Sequence, residues 1–330
     1  MKGLWDLAKE EYPPDKVSHF FMLIVIMMVF YGLLHLILHG LNSWLNKRYQ
    51  KLTWSKQGDY RANLVSPIHS ILCIMFSTLA MFKVCGGGQT VFNNEHCMGT
   101  PRYLHIWALV NTCGYFVTDT LSIIIIIRTF TTIDKQMIGH HVIAFITFVG
   151  TLAFMNWTVV FGVILLFVEV STTYISIRWL LYTHKQHRTV CHTINAIIVF
   201  ITFLLGRLVF QIGILVGYGY PKLIDNFQEE ALPWYKVALI VVMFVAITLS
   251  ALMNIFWMWL IVNQIIRIIN RQGDDVDGDV SQSAQSEDRG SEPSLQGDET
   301  GDRTPLMGDA TSADRIDTDE ERDILHISST

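Results

Sequence analysis

Charge is scarce in this 330-residue chain: Asp, Glu, Lys and Arg make up 16% of it, against 51% hydrophobic residues. A soluble domain carries about a quarter charged residues, so a single water-soluble globule is excluded. The mean hydropathy of +0.36 points the same way. The formal charge of −5 hides two unlike halves. Residues 271–330 hold 17 acidic and 5 basic side chains, whereas 1–270 hold 12 acidic and 19 basic. An acidic appendage is repelled by a phosphate backbone, which excludes nucleic acid as the partner of the tail.

Also missing is the period-2 alternation of a membrane β-barrel: the run Ile123-Ile124-Ile125-Ile126-Ile127 is apolar on every side. Backbone polar groups in hydrocarbon must bond to one another, which leaves helices. Seven nearly charge-free stretches, 17–41, 64–82, 104–127, 138–155, 157–177, 192–217 and 237–266, match the 17–25 residues needed to cross a bilayer, and the last is long enough to tilt. The expected fold is all-α, a polytopic bundle of about seven transmembrane helices with a disordered acidic C-terminal tail. Its parts are a luminal segment at 1–16, the bundle at 17–270 and the tail at 271–330. Only Asn156 separates the fourth and fifth stretches. One helix through both would be about 60 Å long, twice the apolar thickness, so a tight turn at Met155–Trp157 is expected. The first span is too long for a signal-peptide core, and no small-residue cleavage site follows it.

Lys and Arg set the expected orientation. One side collects Lys47, Arg48, Lys51, Lys56, Arg61, Arg128, Lys135, Arg178, Lys185, Arg188, Arg267 and Arg271; the other has Lys2, Lys9, Lys16, Lys83, Arg102, Lys222 and Lys236. Twelve against seven places the N-terminus in the lumen and the C-terminus in the cytosol. Cys85 and Cys97 share a loop on the luminal side, where a disulfide is permitted; the Gly86-Gly87-Gly88 run could let the chain fold back between them. Cys73 and Cys113 fall inside spans as small apolar residues, and Cys191 lies at a cytosolic end.

After Arg271 the composition turns to Asp, Ser, Gly, Gln and Glu, too polar to offset the entropy of ordering. Within it, Asp302-Arg303-Thr304-Pro305-Leu306-Met307 is similar to an acidic dileucine sorting signal, with Asp302 ahead of the apolar pair Leu306 and Met307. Sorting adaptors are the partners this patch would engage.

Ionisable residues inside spans are expensive and turn toward partners or cavities. They are His69, Asp119, His140, His141, Glu169 and Arg207, with Asn111, Asn195 and Asn254 as neutral companions. His141 lies 15 residues before Asn156 and Glu169 lies 13 after it, so a hairpin sets both about 20 Å from the turn. With His69 and Asp119, four helices then place one acid or imidazole each in the cytosolic half of the bilayer. Arg207 is the expected cation for Asp119 or Glu169. Neighbouring residues differ by about 100° around a helix, so one of His140 and His141 is expected inside the bundle and the other at the interface. The cluster admits a catalytic reading, with His141 as base or nucleophile oriented by Glu169. It equally admits a cavity for a lipid head group, or a set of packing contacts. Adjacent histidines suit a single metal ion poorly, and neither metal nor cofactor is expected. His19, His35 and His39 in the first span are given no role, and Trp257-Met258-Trp259 is read as packing and interface anchoring.

Over about residues 60–270 the chain resembles the TLC-domain family, which includes the ceramide synthases. The resemblance rests on Ser66–Ser70 around His69, Asp119-Thr120-Leu121-Ser122, Gly139-His140-His141, Glu169-Val170-Ser171, Ile177-Arg178-Trp179, Arg207, and Asn254 with Trp257. Within the family it is most similar to TLC-only proteins of the transmembrane-protein-56 type. Ceramide synthases carry a His-Asp pair and a further Asp in the second half of their signature, where this chain has Val168, Glu169 and Thr172. The resemblance therefore implies lipid binding or lipid homeostasis without synthase chemistry, in an endomembrane such as the endoplasmic reticulum, Golgi or endolysosome. A sphingolipid or phospholipid would be the partner of the cavity. An acyl-CoA-dependent N-acyltransferase using His141 and Glu169 is the enzymatic alternative, and a trafficking adaptor acting through the tail is the third.

Overall fold

The computed structural model describes residues 3–13, 19–128, 130–186, 189–229 and 233–287. Among them, seven helices are long and apolar enough to cross a membrane. They are α1 (His19–Leu45), α2 (Trp54–Phe82), α3 (Tyr103–Ile127), α4 (Thr132–Phe154), α5 (Trp157–Thr183), α6 (Val190–Asp225) and α7 (Trp234–Glu287, apolar to Ile266). Two compact units are distinguished, Met1–Phe256 and Trp257–Thr330. The packing and the site described below lie within the first.

Several helices start outside their apolar runs, because polar caps rather than hydropathy set helix ends. The Thr53 hydroxyl accepts from the backbone N–H of Lys56 at 3.4 Å, so α2 begins ten residues before the apolar stretch at 64. α4 opens on a reciprocal cap: the Asp134 N–H donates to Thr131 Oγ1 at 3.2 Å, and the Thr131 N–H donates to Asp134 Oδ2 at 2.8 Å. Between α4 and α5, Met155 takes a left-handed conformation (φ 51°) and the Asn156 side chain caps the Thr158 N–H at 3.1 Å. That is the expected two-residue turn. α7 is described as far as Glu287, and its membrane-length apolar part ends at Ile266. Residues 288–330, with Asp302, Leu306 and Met307, lie outside the described residues.

α3 is the central rod. Its most apolar window is 61% buried, against 17% for α1 at the periphery. Gly114 makes the close approach of α1 possible: a Cβ there would sit 2.4 Å from Met27 Cβ and 3.0 Å from backbone atoms of α1. Ile106, Leu109, Val110 and Cys113 of α3 pack with Tyr31, Val65, Leu152 and Val163 in one core cluster. A second cluster joins α5, α6 and α7 through Phe161, Leu165, Leu215, Met243 and Phe244.

At one end the segment 3–13 pairs with the chain leading into α3. The Tyr12 N–H donates to the Pro101 carbonyl at 2.9 Å, and the Tyr103 N–H donates to that of Glu10 at 3.1 Å. The loop between α2 and α3 is closed by a Cys85–Cys97 disulfide with Cα atoms 5.7 Å apart. Gly86, Gly87 and Gly88 all have positive φ, which only glycine adopts without strain.

Candidate intramembrane polar site

His69 on α2, Asp119 on α3, His141 on α4 and Glu169 on α5 all lie inside the bundle, 0%, 5%, 3% and 5% exposed respectively. They belong to three linked polar groups.

The first surrounds His69. Its ring stacks on Tyr115 with centroids 3.9 Å apart and planes 12° from parallel. Tyr31 of α1 donates its hydroxyl to Asn111 Oδ1 at 2.8 Å, and its oxygen lies 3.2 Å from His69 Nδ1. Cys73 lies one turn along α2, with its sulfur 3.4 Å from His69 Nε2 and 3.0 Å from the Thr112 hydroxyl. The second group is His141 with Asp119. His141 Nδ1 lies 3.6 Å from Asp119 Oδ2 and 3.4 Å from the Thr120 hydroxyl, while the ring stacks on Phe116 at 4.8 Å. Phe116 and Tyr115 are adjacent on α3, so aromatic faces connect His69 to His141.

The third group is an ion pair where two helices depart from α geometry. Glu169 ends a tight 3₁₀ turn, Leu166–Glu169, and Arg207 lies in a wide π-helical stretch, Phe203–Phe210; such irregular turns recur at functional positions. Arg207 Nη2 is 3.7 Å from Glu169 Oε2. The guanidinium also donates to Ser171 Oγ at 2.8 Å, Thr172 Oγ1 at 2.7 Å and Asn254 Oδ1 at 3.4 Å. The Thr172 hydroxyl in turn donates to Glu169 Oε2 at 2.7 Å, and Asn254 Nδ2 donates to Gln211 Oε1 at 2.7 Å. Gly206 lets α6 come close enough, since a Cβ there would meet Val170 Cγ1 at 3.1 Å. Ser70, next to His69, donates to the Glu169 carbonyl at 2.5 Å and ties the groups together.

Two expectations change. The carboxylate against His141 is Asp119, from the neighbouring helix α3, whereas Glu169 goes to Arg207. Depth along the helices placed all four groups at one level, but which pairs meet depends on helix order around the bundle. His140 and His141 are moreover both buried, at 6% and 3% exposed, because α4 has protein on both flanks at this depth. His141 turns toward Asp119. His140 turns toward a void lined also by Phe116, Phe148, Glu169, Gln211 and Ser250. At roughly 10–15 Å³ per water molecule, this void of about 40 Å³ holds about three waters and no lipid head group in the conformation seen.

The TLC-domain family model matches residues 59–263, more than half of the chain. The chain belongs to the TLC-domain family. An uncharacterized TLC domain-containing protein of Schizosaccharomyces pombe is 24% identical to it over 253 residues, 76% of this chain and 81% of that protein. The match begins two residues before Arg61 and covers the three polar groups apart from Tyr31. Tyr31 of α1 is the contributor from outside the match. Sequence reading passed over Tyr31, Tyr115 and Gln211; their only signal was a polar atom in an apolar run, which such residues commonly show without a role.

Proposed function

We propose that this TLC-domain protein handles membrane lipids at its intramembrane polar centre and so influences membrane lipid composition. The observation that supports this is the void itself: His140, Thr147, Glu169, Gln211 and Ser250 bring polar side chains to one space at membrane depth, where ionisable residues mark substrate pathways and cavities. His140 and Glu169 line it, and His69, Asp119, His141, Arg207 and Asn254 belong to the polar groups bonded or packed around them. The void admits a lipid hydroxyl or amide group once the side chains around it separate. A sphingolipid or phospholipid is the partner class. The reading extends to an endomembrane with the N-terminus luminal and the C-terminus cytosolic, supported by the cation count and by the disulfide loop lying on the side of the N-terminal segment. The test is the lipid composition of cells lacking the gene. One lipid class is expected to change, and wild-type protein but not a His140→Phe, Gln211→Leu variant to restore it. Unchanged lipid classes would remove the proposal.

One contact favours a second reading, the His141–Asp119 pair at 3.6 Å, since a carboxylate beside an imidazole can orient it as a general base. Under that reading the protein is an acyl-CoA-dependent N-acyltransferase. Purified protein given labelled acyl-CoA and a sphingoid base would then turn over, and His141→Ala would abolish the product.

A further inference from the structure

Arg61 lies on α2 seven residues after its start, two turns before His69, and is only 3% exposed. Burying a guanidinium is costly unless a counter-ion and acceptors replace water. Among the described residues no carboxylate reaches it within ion-pair distance. One nitrogen alone is engaged: Nη1 donates to the Tyr49 hydroxyl at 2.8 Å and to His39 Nδ1 at 3.0 Å. Trp54 covers the guanidinium with its ring, 5.1 Å from centroid to Cζ. The Nε and Nη2 edge, three N–H groups in the geometry that grips a phosphate or carboxylate side-on, finds no acceptor among the described residues and is not among the fully enclosed atoms, so a ligand can reach it.

A second observation points to the same place. His35 lies one turn deeper than His39 on the same face of α1, and His39 Nδ1 is 3.0 Å from Arg61 Nη1. His35 is 7% exposed, and neither ring nitrogen has a hydrogen-bond partner among the described residues. An enclosed imidazole without partners is a costly arrangement, and an anion held by the free edge of Arg61 would give one of its nitrogens a partner.

The surroundings are rigid and positive. Tyr49 packs on Tyr60 with centroids 5.4 Å apart, and Tyr60 packs on Trp179 of α5 at 6.1 Å. The Tyr60 hydroxyl is fixed by Asn46 Nδ2 at 3.2 Å and His184 Nε2 at 2.9 Å. Residues 46–61 carry Lys47, Arg48, Lys51, Lys56 and Arg61 against one acid, Asp59. Asp59 is on a different face of α2 from Arg61, two residues away at about 200°.

We propose that Arg61 and His35, walled by Tyr49 and Trp54, bind a phosphoryl anion at this end of the bundle. Nε and Nη2 would clasp two phosphate oxygens and a His35 N–H a third. The site stands apart from the central polar groups, about 12 Å from His69 along α2 by helical rise. Its place at the end of two spans favours the headgroup phosphate of a lipid over a soluble phosphate, and the exposed lysines would draw either in.

The test uses the full chain in phosphatidylcholine nanodiscs, with and without phosphatidic acid, and separately with free inorganic phosphate. Melting temperature and retention of a spin-labelled phosphatidic acid are the readouts. Wild type is expected to retain phosphatidic acid at least tenfold over phosphatidylcholine. Protection by phosphatidic acid alone assigns the site to lipid, and protection by both ligands assigns it to the phosphoryl group from either source. Arg61→Lys keeps the charge but loses the side-on grip and should cut the preference about tenfold. His35→Glu supplies the missing counter-ion; it should abolish phosphoryl binding while raising the melting temperature without ligand. Equal preference in wild type and both variants, or binding that tracks only Lys51→Ala, would overturn the proposal.

Discussion

At the scale of single residues, the strongest dependency in the bundle is that of Arg207 on Glu169. Both are about 95% buried, and the guanidinium has further bonds to Ser171, Thr172 and Asn254. Removing only the acid strands a cation in a low-dielectric interior, a loss on the order of 3–5 kcal/mol. Glu169→Ala should accordingly lower the melting temperature in detergent sharply. A joint Glu169→Leu, Arg207→Leu variant should recover most of that loss, because replacing a whole buried pair with apolar groups is often neutral. Recovery would show that the pair is kept for something other than stability. The types and depth of these residues were legible in the sequence, since an ionisable group in an apolar run stands out. Their partners were not. Whether Asp119 or Glu169 faces His141 depends on which helix lies beside α4, and periodicity carries no record of helix neighbours. Val168 and Thr172 were read as losses against the synthase signature, yet Thr172 bridges Arg207 and Glu169 through its hydroxyl.

At the scale of helices, small residues decide which rods touch. Gly114→Ala should force Met27 and its backbone away from α3, and overpacking of this kind costs about 1–3 kcal/mol. Thermal unfolding of the detergent-solubilised variant checks this; Gly32→Ala is the control, because a Cβ there meets nothing within 4 Å. Spans were easy to find and their ends were not. Hydropathy marks the part of a helix that sits in hydrocarbon, whereas Thr53 and the Thr131–Asp134 cap start α2 and α4 several residues earlier. The wide and tight turns that carry Arg207 and Glu169 left no mark of composition, because they arise from packing between α5 and α6. The turn at Met155 and Asn156 was legible, because no single helix could bridge that length of apolar chain.

At the scale of the whole molecule, the loop between α2 and α3 and the segment 3–13 share one side of the membrane domain. The loop is closed by Cys85–Cys97, a separation of 12 residues, for which the chain-entropy estimate is about 3 kcal/mol. Cys85→Ser should lower the melting temperature, and a Cys191→Ser background, which removes the exposed free thiol, should label with maleimide at Cys85 and Cys97 only after reduction. Orientation is checked by inserting a glycosylation acceptor on a flexible spacer into each loop. Modification within 86–93 but not beside Arg128 is the outcome expected from the cation count, and the reverse pattern would invert the topology.

The two-residue turn between α4 and α5 also limits how the protein can breathe. His140 and Glu169 sit on opposite arms of a clasp with almost no slack at its hinge, so those walls cannot part far at the turn. About 20 Å from that hinge the arms keep some freedom, but α7 is joined to α4 by no short turn, so the hollow should swell chiefly on the flank where Gln211 of α6 and Ile247 and Ser250 of α7 complete the lining. A tether between α4 and α5 should therefore leave guest entry untouched, while one between α4 and α7 should seal it.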